Sequence, residues 1–337
     1  MPGHDIIVIG ASAGGVEALL QIVSALPADL PAVVLTALHL GAGPSALPEI
    51  LTRAGRLPAG HPVHGEPLRR GRIYVAPPDR HLLLHDGRLR IERGAKENGH
   101  RPAIDVLFRS AAQAYGPRVV GVVLTGNLDD GTAGLLAIQE QGGIAVVQDP
   151  DEADYPGMPR NACENVKVDH VLPLAQIAPL LVQLAEDPVA AEPVGGTPGG
   201  ERSSAVAEEL LGESGQDLAG DPSGFTCPDC GGALWETHDH PLVRYRCRTG
   251  HVYSPESLIT EQSEGVETAL WTALRVLQEN ADLARRMARR MRDRGLARAE
   301  ARYAERAEEA ERQAVTLRVL LLTAETMDEE PTPVEAS

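Results

Sequence analysis

A chain of 337 residues with 43% apolar but only 3% aromatic side chains is long enough for two or three units. Its aliphatic stock suits a core between sheet and helices, the composition of an α/β domain. A formal net charge of −17 speaks against a general nucleic-acid binder, and the sequence has no run of about 18 apolar residues to span a bilayer and no secretory leader, so a cytoplasmic protein without membrane insertion is expected.

Residues 1–184 alternate short apolar runs with helical periods. The first run, Ile6-Ile7-Val8-Ile9, breaks into Gly10-Ala11-Ser12-Ala13-Gly14-Gly15. Val16, Leu19, Leu20 and Val23 then mark one apolar face of a helix that ends near Leu26-Pro27. Ala32 to Leu38, Arg72 to Val75, Val119 to Leu124 and Ile144 to Val147 read as further strands. Their β-branched content and lack of polar alternation point to burial on both faces, as in a parallel sheet covered by helices.

From about Glu186 to Gly224 the chain turns to Pro, Gly, Ser and acidic residues. That is linker composition, with a helical tendency only over Ala205 to Leu211. A Cys/His module follows, and Glu264 to Thr323 reads as helix. There Leu270, Leu274, Leu277, Ala281, Ala284, Met287 and Met291 keep a heptad-like spacing, which Leu296, Ala299, Tyr303, Ala310, Ala314, Leu317 and Leu321 resume after Gly295. The spacing predicts a helical hairpin turning near Gly295. The expected division is an α/β domain over 1–184, a disordered linker over 185–224, a zinc-ribbon-like module over 225–262, a helical hairpin or coiled coil over 263–327 and a disordered tail over 328–337.

Ser12 lies between glycines at a strand-to-helix turn, where small neighbours let the backbone bend and expose the hydroxyl. The same pattern also fits a phosphate-binding turn or a structural bend. His39 follows the second strand run and Asp130 the fourth. The carboxyl ends of strands in an open parallel sheet form a ligand crevice, so the three side chains can converge there. In acyl transfer Ser12 would attack, His39 would carry the proton and Asp130 would orient the imidazole, with the amides of Ala13 and Gly14 as oxyanion donors. The competing readings are a surface histidine at a strand end and a turn or helix cap at Asp129-Asp130-Gly131.

Six motifs in order decide between these readings: Gly10-Ala11-Ser12-Ala13-Gly14-Gly15, the strand ending at His39, Ile73-Tyr74-Val75-Ala76-Pro77-Pro78-Asp79, His100-Arg101-Pro102-Ala103-Ile104-Asp105-Val106-Leu107-Phe108, Leu124-Thr125-Gly126 through Asp130-Gly131-Thr132-Ala133-Gly134, and Gly157-Met158-Pro159. Over residues 4–184 the chain resembles the catalytic domain of the chemotaxis protein-glutamate methylesterases (CheB). The resemblance implies a doubly wound, mostly parallel Rossmann-like sheet. It also implies Ser12 as nucleophile, His39 as base and Asp130 as third member, with no cofactor for catalysis. The reaction implied is hydrolysis of glutamyl methyl esters on receptors to methanol, with receptor glutamine deamidation as a second activity. The chain departs from the common family pattern at Ala13, at Leu38-His39-Leu40 and at Asn127-Leu128, which stand in for Thr, Gln-His-Met and Met-Gly. Asn127 is thereby a candidate for the oxyanion or leaving-group region, and Arg101 for contact with an acidic substrate helix or for anchoring its loop. Because the first strand starts almost at Met1, the attached phosphoacceptor domain of many family members is not expected.

In the second half, Cys227-Pro228-Asp229-Cys230 and Cys247-Arg248-Thr249-Gly250-His251 form two knuckle-like pairs suited to a closed, structural zinc site. Its ligands are Cys227, Cys230, Cys247 and His251, with His238 and His240 as substitutes for the last, while Cys163 stands apart. Similar extensions look like those appended to some stand-alone members of the family. The arginines from Arg285 to Arg294 read as the solvated face of a docking or dimerisation helix.

Expected partners are a methylated chemoreceptor or related sensory protein, a sensor kinase or methyltransferase, and a second copy through the helices. The alternative function is a docking protein that binds receptors or kinases through the same fold. An α/β-hydrolase lipase would order its triad Ser, Asp, His, and a nucleotide site would place an acidic residue where His39 stands.

Overall fold

The computed structural model describes residues 3–41, 43–189, 220–239 and 242–325. Two compact units are distinguished, Met1–Leu258 and Ile259–Ser337.

The first unit is built on a seven-stranded sheet. Its strands are β1 (Ile6–Ala11), β2 (Val33–Leu38), β3 (Ala59–Gly60), β4 (Arg72–Val75), β7 (Val119–Val123), β8 (Ile144–Gln148) and β9 (His170–Leu172). They lie in the order β3-β4-β2-β1-β7-β8-β9, and every neighbouring pair is parallel. The five strands expected from the apolar runs are all present. The short edge strands β3 and β9, with two and three residues, carry too little pattern to be read from sequence.

Successive side chains of β1 divide between two cores, because strand side chains alternate faces. Ile7, Ile9 and Ala11 pack with α1 (Gly15–Ala25), α2 (Leu47–Ala54) and α6 (Leu174–Glu186) through Leu19, Leu51 and Leu181. Ile6 and Val8 pack with α3 (Ile104–Tyr115), α4 (Thr132–Glu140) and α5 (Gly157–Asn165) through Phe108, Leu135 and Met158. Burial on both faces is what allows near-continuous aliphatic strands; each Val, Leu or Ile so enclosed contributes roughly 1.5–3 kcal/mol before entropy is counted. The second core is also lined by a separate antiparallel hairpin, β5 (His81–His85) and β6 (Arg88–Glu92). Asp86 and Gly87 at its tip have φ of 49° and 72°, the left-handed pair that an Asp-Gly turn favours.

β1 is central: the chain builds outward from it through β2 and β4, then returns to its other side at β7. The topological switch therefore lies between β1 and β7, where the loops diverge and leave a crevice beyond the strand ends.

The Cys/His module belongs to the first unit. Its four antiparallel strands are β10 (Asp221–Thr226), β11 (Ala233–Asp239), β12 (Leu242–Cys247) and β13 (Val252–Tyr253). The module thus begins at β10, ahead of the expected boundary at 225. Of the expected linker, residues 190–219 lie outside the described residues, including Ala205 to Leu211, as does the expected tail.

Helices α7 (Pro255–Asp293) and α8 (Ala297–Glu325) account for the rest. α7 starts at Pro255 rather than Glu264, since proline is tolerated in a helix's first turn and Glu256 complements its positive end. Within the second unit the chain turns at Gly295, with φ +67°. Leu274, Ala314 and Leu321 are buried there together with parts of Leu270 and Leu277. Arg285 pairs with Glu311, and Arg292 with Glu300 at 2.6 Å, so two of the arginines join the helices rather than only facing solvent.

Candidate active site

The turn after β1 is held by main-chain bonds and by the Thr125 hydroxyl, which donates to Ala13 O at 3.1 Å. Ser12 N donates to Thr125 O, and Gly15 N donates to Ser12 O, both at 3.0 Å. Gly14 has φ +71°, and a Cβ there would press on Thr125 and Tyr155 at 3.2–3.3 Å. A Cβ on Gly126 would collide with Met158 Sδ and come within 2.9 Å of Ser12 Cβ. These two glycines let the β1 and β7 loops close on the serine.

The three candidate catalytic side chains come together in a line. His39 Nδ1 is 3.1 Å from Ser12 Oγ, and His39 Nε2 is 2.7 Å from Asp130 Oδ2. The His39 and Asp130 side chains are 7% and 2% exposed. A carboxylate can only accept, so Nε2 carries the proton toward Asp130 and Nδ1 presents its lone pair to the serine hydroxyl. That is the tautomer a general base requires.

Asp130 is held by four donors. Oδ2 accepts from His39 Nε2 and from Ile104 N at 2.7 Å; Oδ1 accepts from Asp105 N at 3.1 Å and Asn98 Nδ2 at 3.2 Å. The amides belong to the start of α3, so Asp130 also caps that helix. Asp105 reciprocates, its Oδ1 accepting from Gly131 N at 3.0 Å and Gly134 N at 2.6 Å around the start of α4. Burial alone would raise the Asp130 pKa. The hydrogen bond and charge of His39, the charge of His100 and the Ile104 amide outweigh that and hold it well below the usual carboxylate range. Asp105 goes the other way, pushed up to about 7 by burial and the neighbouring Asp130 charge. The helix-cap and catalytic readings of Asp130 are therefore compatible, since one carboxylate accepts both from the α3 amides and from His39 Nε2.

His100 stacks on His39 with ring centroids 3.6 Å apart and planes at 17°. Burial, and then the charge of His39, lower its pKa to about 4, so a neutral ring backs the base at neutral pH. Its stacking has no signal in the sequence beyond its place in a motif, and Asn98 lies outside every one of the six motifs. Leu128 adopts φ +61°, a conformation that glycine takes without strain and other residues rarely adopt. Asn161 Nδ2 holds the loop by donating to Leu128 O at 3.0 Å.

The oxyanion candidates Ala13 and Gly14 lie beside Ser12, and no described residue accepts from either amide. Asn127 is exposed on the loop that follows Gly126. The Arg101 guanidinium donates to Asp79 Oδ1 at 2.5 and 2.8 Å and to Gly94 O at 2.6 Å. These three bonds are what loop anchoring requires.

Cys227, Cys230, Cys247 and His251 bring their ligand atoms within 4.8 Å of one another. The measured edges are 3.7 Å for Cys230 Sγ to Cys247 Sγ, 3.5 Å for Cys247 Sγ to His251 Nδ1 and 3.6 Å for Cys227 Sγ to His251 Nδ1. A tetrahedral metal about 2.3 Å from sulfur and 2.0–2.1 Å from nitrogen requires edges of about 3.5–3.8 Å, so the donor set fits. The alternatives His240 and the side chain of His238 lie outside the described residues. Cys163 is partly buried against the second core, and burial raises its thiol pKa.

The CheB methylesterase family model matches residues 7–181. A Leptospira interrogans protein, provisionally assigned as a protein-glutamate methylesterase/protein-glutamine glutaminase, is 39% identical over 186 residues, covering 55% of this chain and 96% of its own. A Xanthomonas campestris pv. campestris protein-glutamate methylesterase/protein-glutamine glutaminase is 42% identical over 185 residues, 53% of this chain and 51% of its own length. The crystal structure of the Thermotoga maritima CheB methylesterase catalytic domain superposes with a TM-score of 0.52 at 32% identity, over 53% of this chain and 98% of that one. Since the matched segment runs from β1 into α6 and so takes in the whole parallel sheet with its crevice, the chain belongs to the CheB methylesterase family.

Proposed function

We propose that the chain is a protein-glutamate methylesterase, a serine-type hydrolase acting on glutamyl methyl esters of chemoreceptors or related sensory proteins. The observation that carries the reading is the hydrogen-bonded line from Ser12 through His39 to Asp130 at the switch point of the sheet. Ser12 Oγ attacks the ester carbonyl as His39 Nδ1 takes its proton. The developing oxyanion faces the Ala13 and Gly14 amides. The C–O bond to the methoxy group then breaks, His39 returns the proton, and methanol leaves an acyl-serine. Water, deprotonated by His39, cleaves that ester to free glutamate and Ser12. A glutamine side chain would follow the same course with ammonia as leaving group.

The test is methanol release from a methylated receptor cytoplasmic fragment. Release is expected, with an acyl-enzyme that can be trapped by rapid acid quench; binding of the fragment without release would instead favour the docking reading. The intact hydrogen-bonded line disfavours that alternative. A cytoplasmic location suits such a substrate, and no described helix is long and apolar enough to cross a membrane. A sensor kinase or methyltransferase as further partner, and self-association through α7 and α8, belong to the same proposal.

The Cys/His module would hold a zinc ion on Cys227, Cys230, Cys247 and His251. Four protein ligands leave no open position, so the ion would supply stability and take no part in ester hydrolysis. Purified protein is expected to carry one equivalent of zinc by elemental analysis. Chelation, or Cys247→Ser, should unfold the module and lower the melting midpoint, because metal binding in so small a unit is folding free energy. An unchanged midpoint after metal removal would leave the module without a metal role.

A further inference from the structure

Residues 96–98, on the segment leading to α3, join the Cys/His module to the carboxylates behind the active site. Glu97 pairs with Val252 of β13 in a parallel bridge. Asn98 N donates to Val252 O at 2.7 Å, and Val252 N to Lys96 O at 3.3 Å. The segment thus extends the module's sheet, and the Asn98 side chain bonds both the module and the carboxylates. Asn98 Nδ2 is 3.2 Å from both Asp105 Oδ2 and Asp130 Oδ1, and Asn98 Oδ1 accepts from Ser254 N at 3.0 Å. Asn98 is 2% exposed, with φ +52°, a conformation that asparagine tolerates better than most residues.

The module also supplies a cation. Arg244 of β12 has a side chain 6% exposed; its guanidinium pairs with Glu97 and lies 3.4 Å from Asp105 Oδ2. On the α/β side, Arg109 of α3 grips Glu97 at 2.6 and 2.7 Å. Glu97, Asp105 and Asp130 are all buried, and three carboxylates in one low-dielectric cluster repel one another unless cations and donors compensate. Arg109 grips Glu97 and its charge also favours the Asp105 carboxylate, while Arg244 pairs with both Glu97 and Asp105, the residue reciprocally capped with Asp130.

We infer that Arg244 is a positioning residue for Asp130, acting through Asp105 and the Asn98 amide, so that the docked Cys/His module completes the support of the Ser12–His39–Asp130 line. This rests on the methylesterase reading for its consequence in rate, but its geometric content stands apart from it. Without the Arg244 charge, Asp105 and Glu97 lose a counter-ion and the protonated form of Asp105 is favoured further. A hydroxyl then replaces an acceptor opposite Asn98, which loses its anchor on Asp105 and holds Asp130 Oδ1 less firmly. His39 would be held less firmly, which costs turnover more than substrate binding.

The experiment compares the full chain with Arg244→Gln and Arg244→Lys. Methanol release from the methylated receptor fragment gives kcat and KM, and proton NMR follows the low-field resonance of the His39 Nε2–H that donates to Asp130. Arg244→Gln is expected to lower kcat by roughly tenfold to a hundredfold with little change in KM, and to shift and broaden the low-field resonance. Arg244→Lys, which keeps the charge but not the planar fork, should restore part of both. Should Arg244→Gln fail to fold, Asn98→Gly removes the bridging amide while suiting the positive φ, and the same displaced resonance is expected. A resonance unchanged from the natural protein, with kcat within about twofold, would overturn the inference, as would a loss of activity with the resonance in place. If the natural protein itself releases no methanol, the methylesterase reading fails while the resonance still decides the positioning link.

Discussion

Ser12→Ala is expected to cut methanol release by about a millionfold while leaving the fold and receptor binding intact. The hydroxyl's described hydrogen bond is to His39 alone, and the turn is shaped by bonds that do not use it: Ser12 N to Thr125 O and Gly15 N to Ser12 O, with the Thr125 hydroxyl on Ala13 O. Alanine keeps these, and its Cβ occupies the space that Gly126 already leaves beside it. What is lost is the covalent route. Without an acyl-serine, water would have to attack the ester directly, helped only by the oxyanion donors and by binding, which in such sites retain a small residual acceleration of about 10³–10⁴ over solution. The measurement is methanol release at equal enzyme concentration, with the melting midpoint and fragment binding as controls. Retention of more than about a hundredth of the activity in a folded variant would mean that another group attacks the ester.

The parts of this molecule that were legible in the sequence are those with a local signature. Aliphatic runs such as Val119 to Leu124 announce strands buried on both faces, because neither core tolerates polar alternation. The glycine-flanked Ser12 announces a turn whose backbone must approach another loop. The spacing of Cys227, Cys230, Cys247 and His251 fits its geometry because two short knuckles are themselves local. What stayed hidden depends on contacts far apart in the chain. His100 stacks on His39 across a separation that no periodicity reports. Arg244 reaches Glu97 and Asp105 from beyond a linker whose composition says nothing about where its far end docks. Arg101, a plausible substrate contact on charge alone, is committed to Asp79 and Gly94; which of an arginine's options is taken depends on tertiary neighbours. The Asp86-Gly87 turn between β5 and β6 is a local signal of the same kind as the Ser12 turn.

Asp130→Asn is expected to lower kcat by about 10⁴-fold and to destabilise the fold by roughly 1–3 kcal/mol. Both oxygens of Asp130 face donors: His39 Nε2 and Ile104 N on one side, Asp105 N and Asn98 Nδ2 on the other. An asparagine has a single acceptor oxygen. If its NH2 faces His39, the imidazole must shift its proton to Nδ1, and Ser12 then meets a donor where it needs a base. If the NH2 turns the other way, Asn98 and the Asp105 amide lose their acceptor and the α3 cap is weakened. Acid distinguishes the variant further. The folded-state pKa of Asp130 lies below the ordinary carboxylate value of about 3.9. Its contribution to stability is therefore present above that value and lost as pH falls through the folded one. Asp105, raised to about 7, contributes in the opposite sense: its term is present below the ordinary carboxylate range and lost as pH rises toward 7. Removing the Asp130 charge takes away one of the causes of that rise, so the Asp105 term should shrink in the variant. Denaturant unfolding from pH 3 to 8 should accordingly show a stability gap between natural protein and variant that narrows below about pH 4, and a flatter dependence between about pH 4 and 7 in Asp130→Asn. Parallel stability curves across the whole range would mean that the carboxylate's protons are not linked to folding, and that Asp130 orients His39 without anchoring the helices around it.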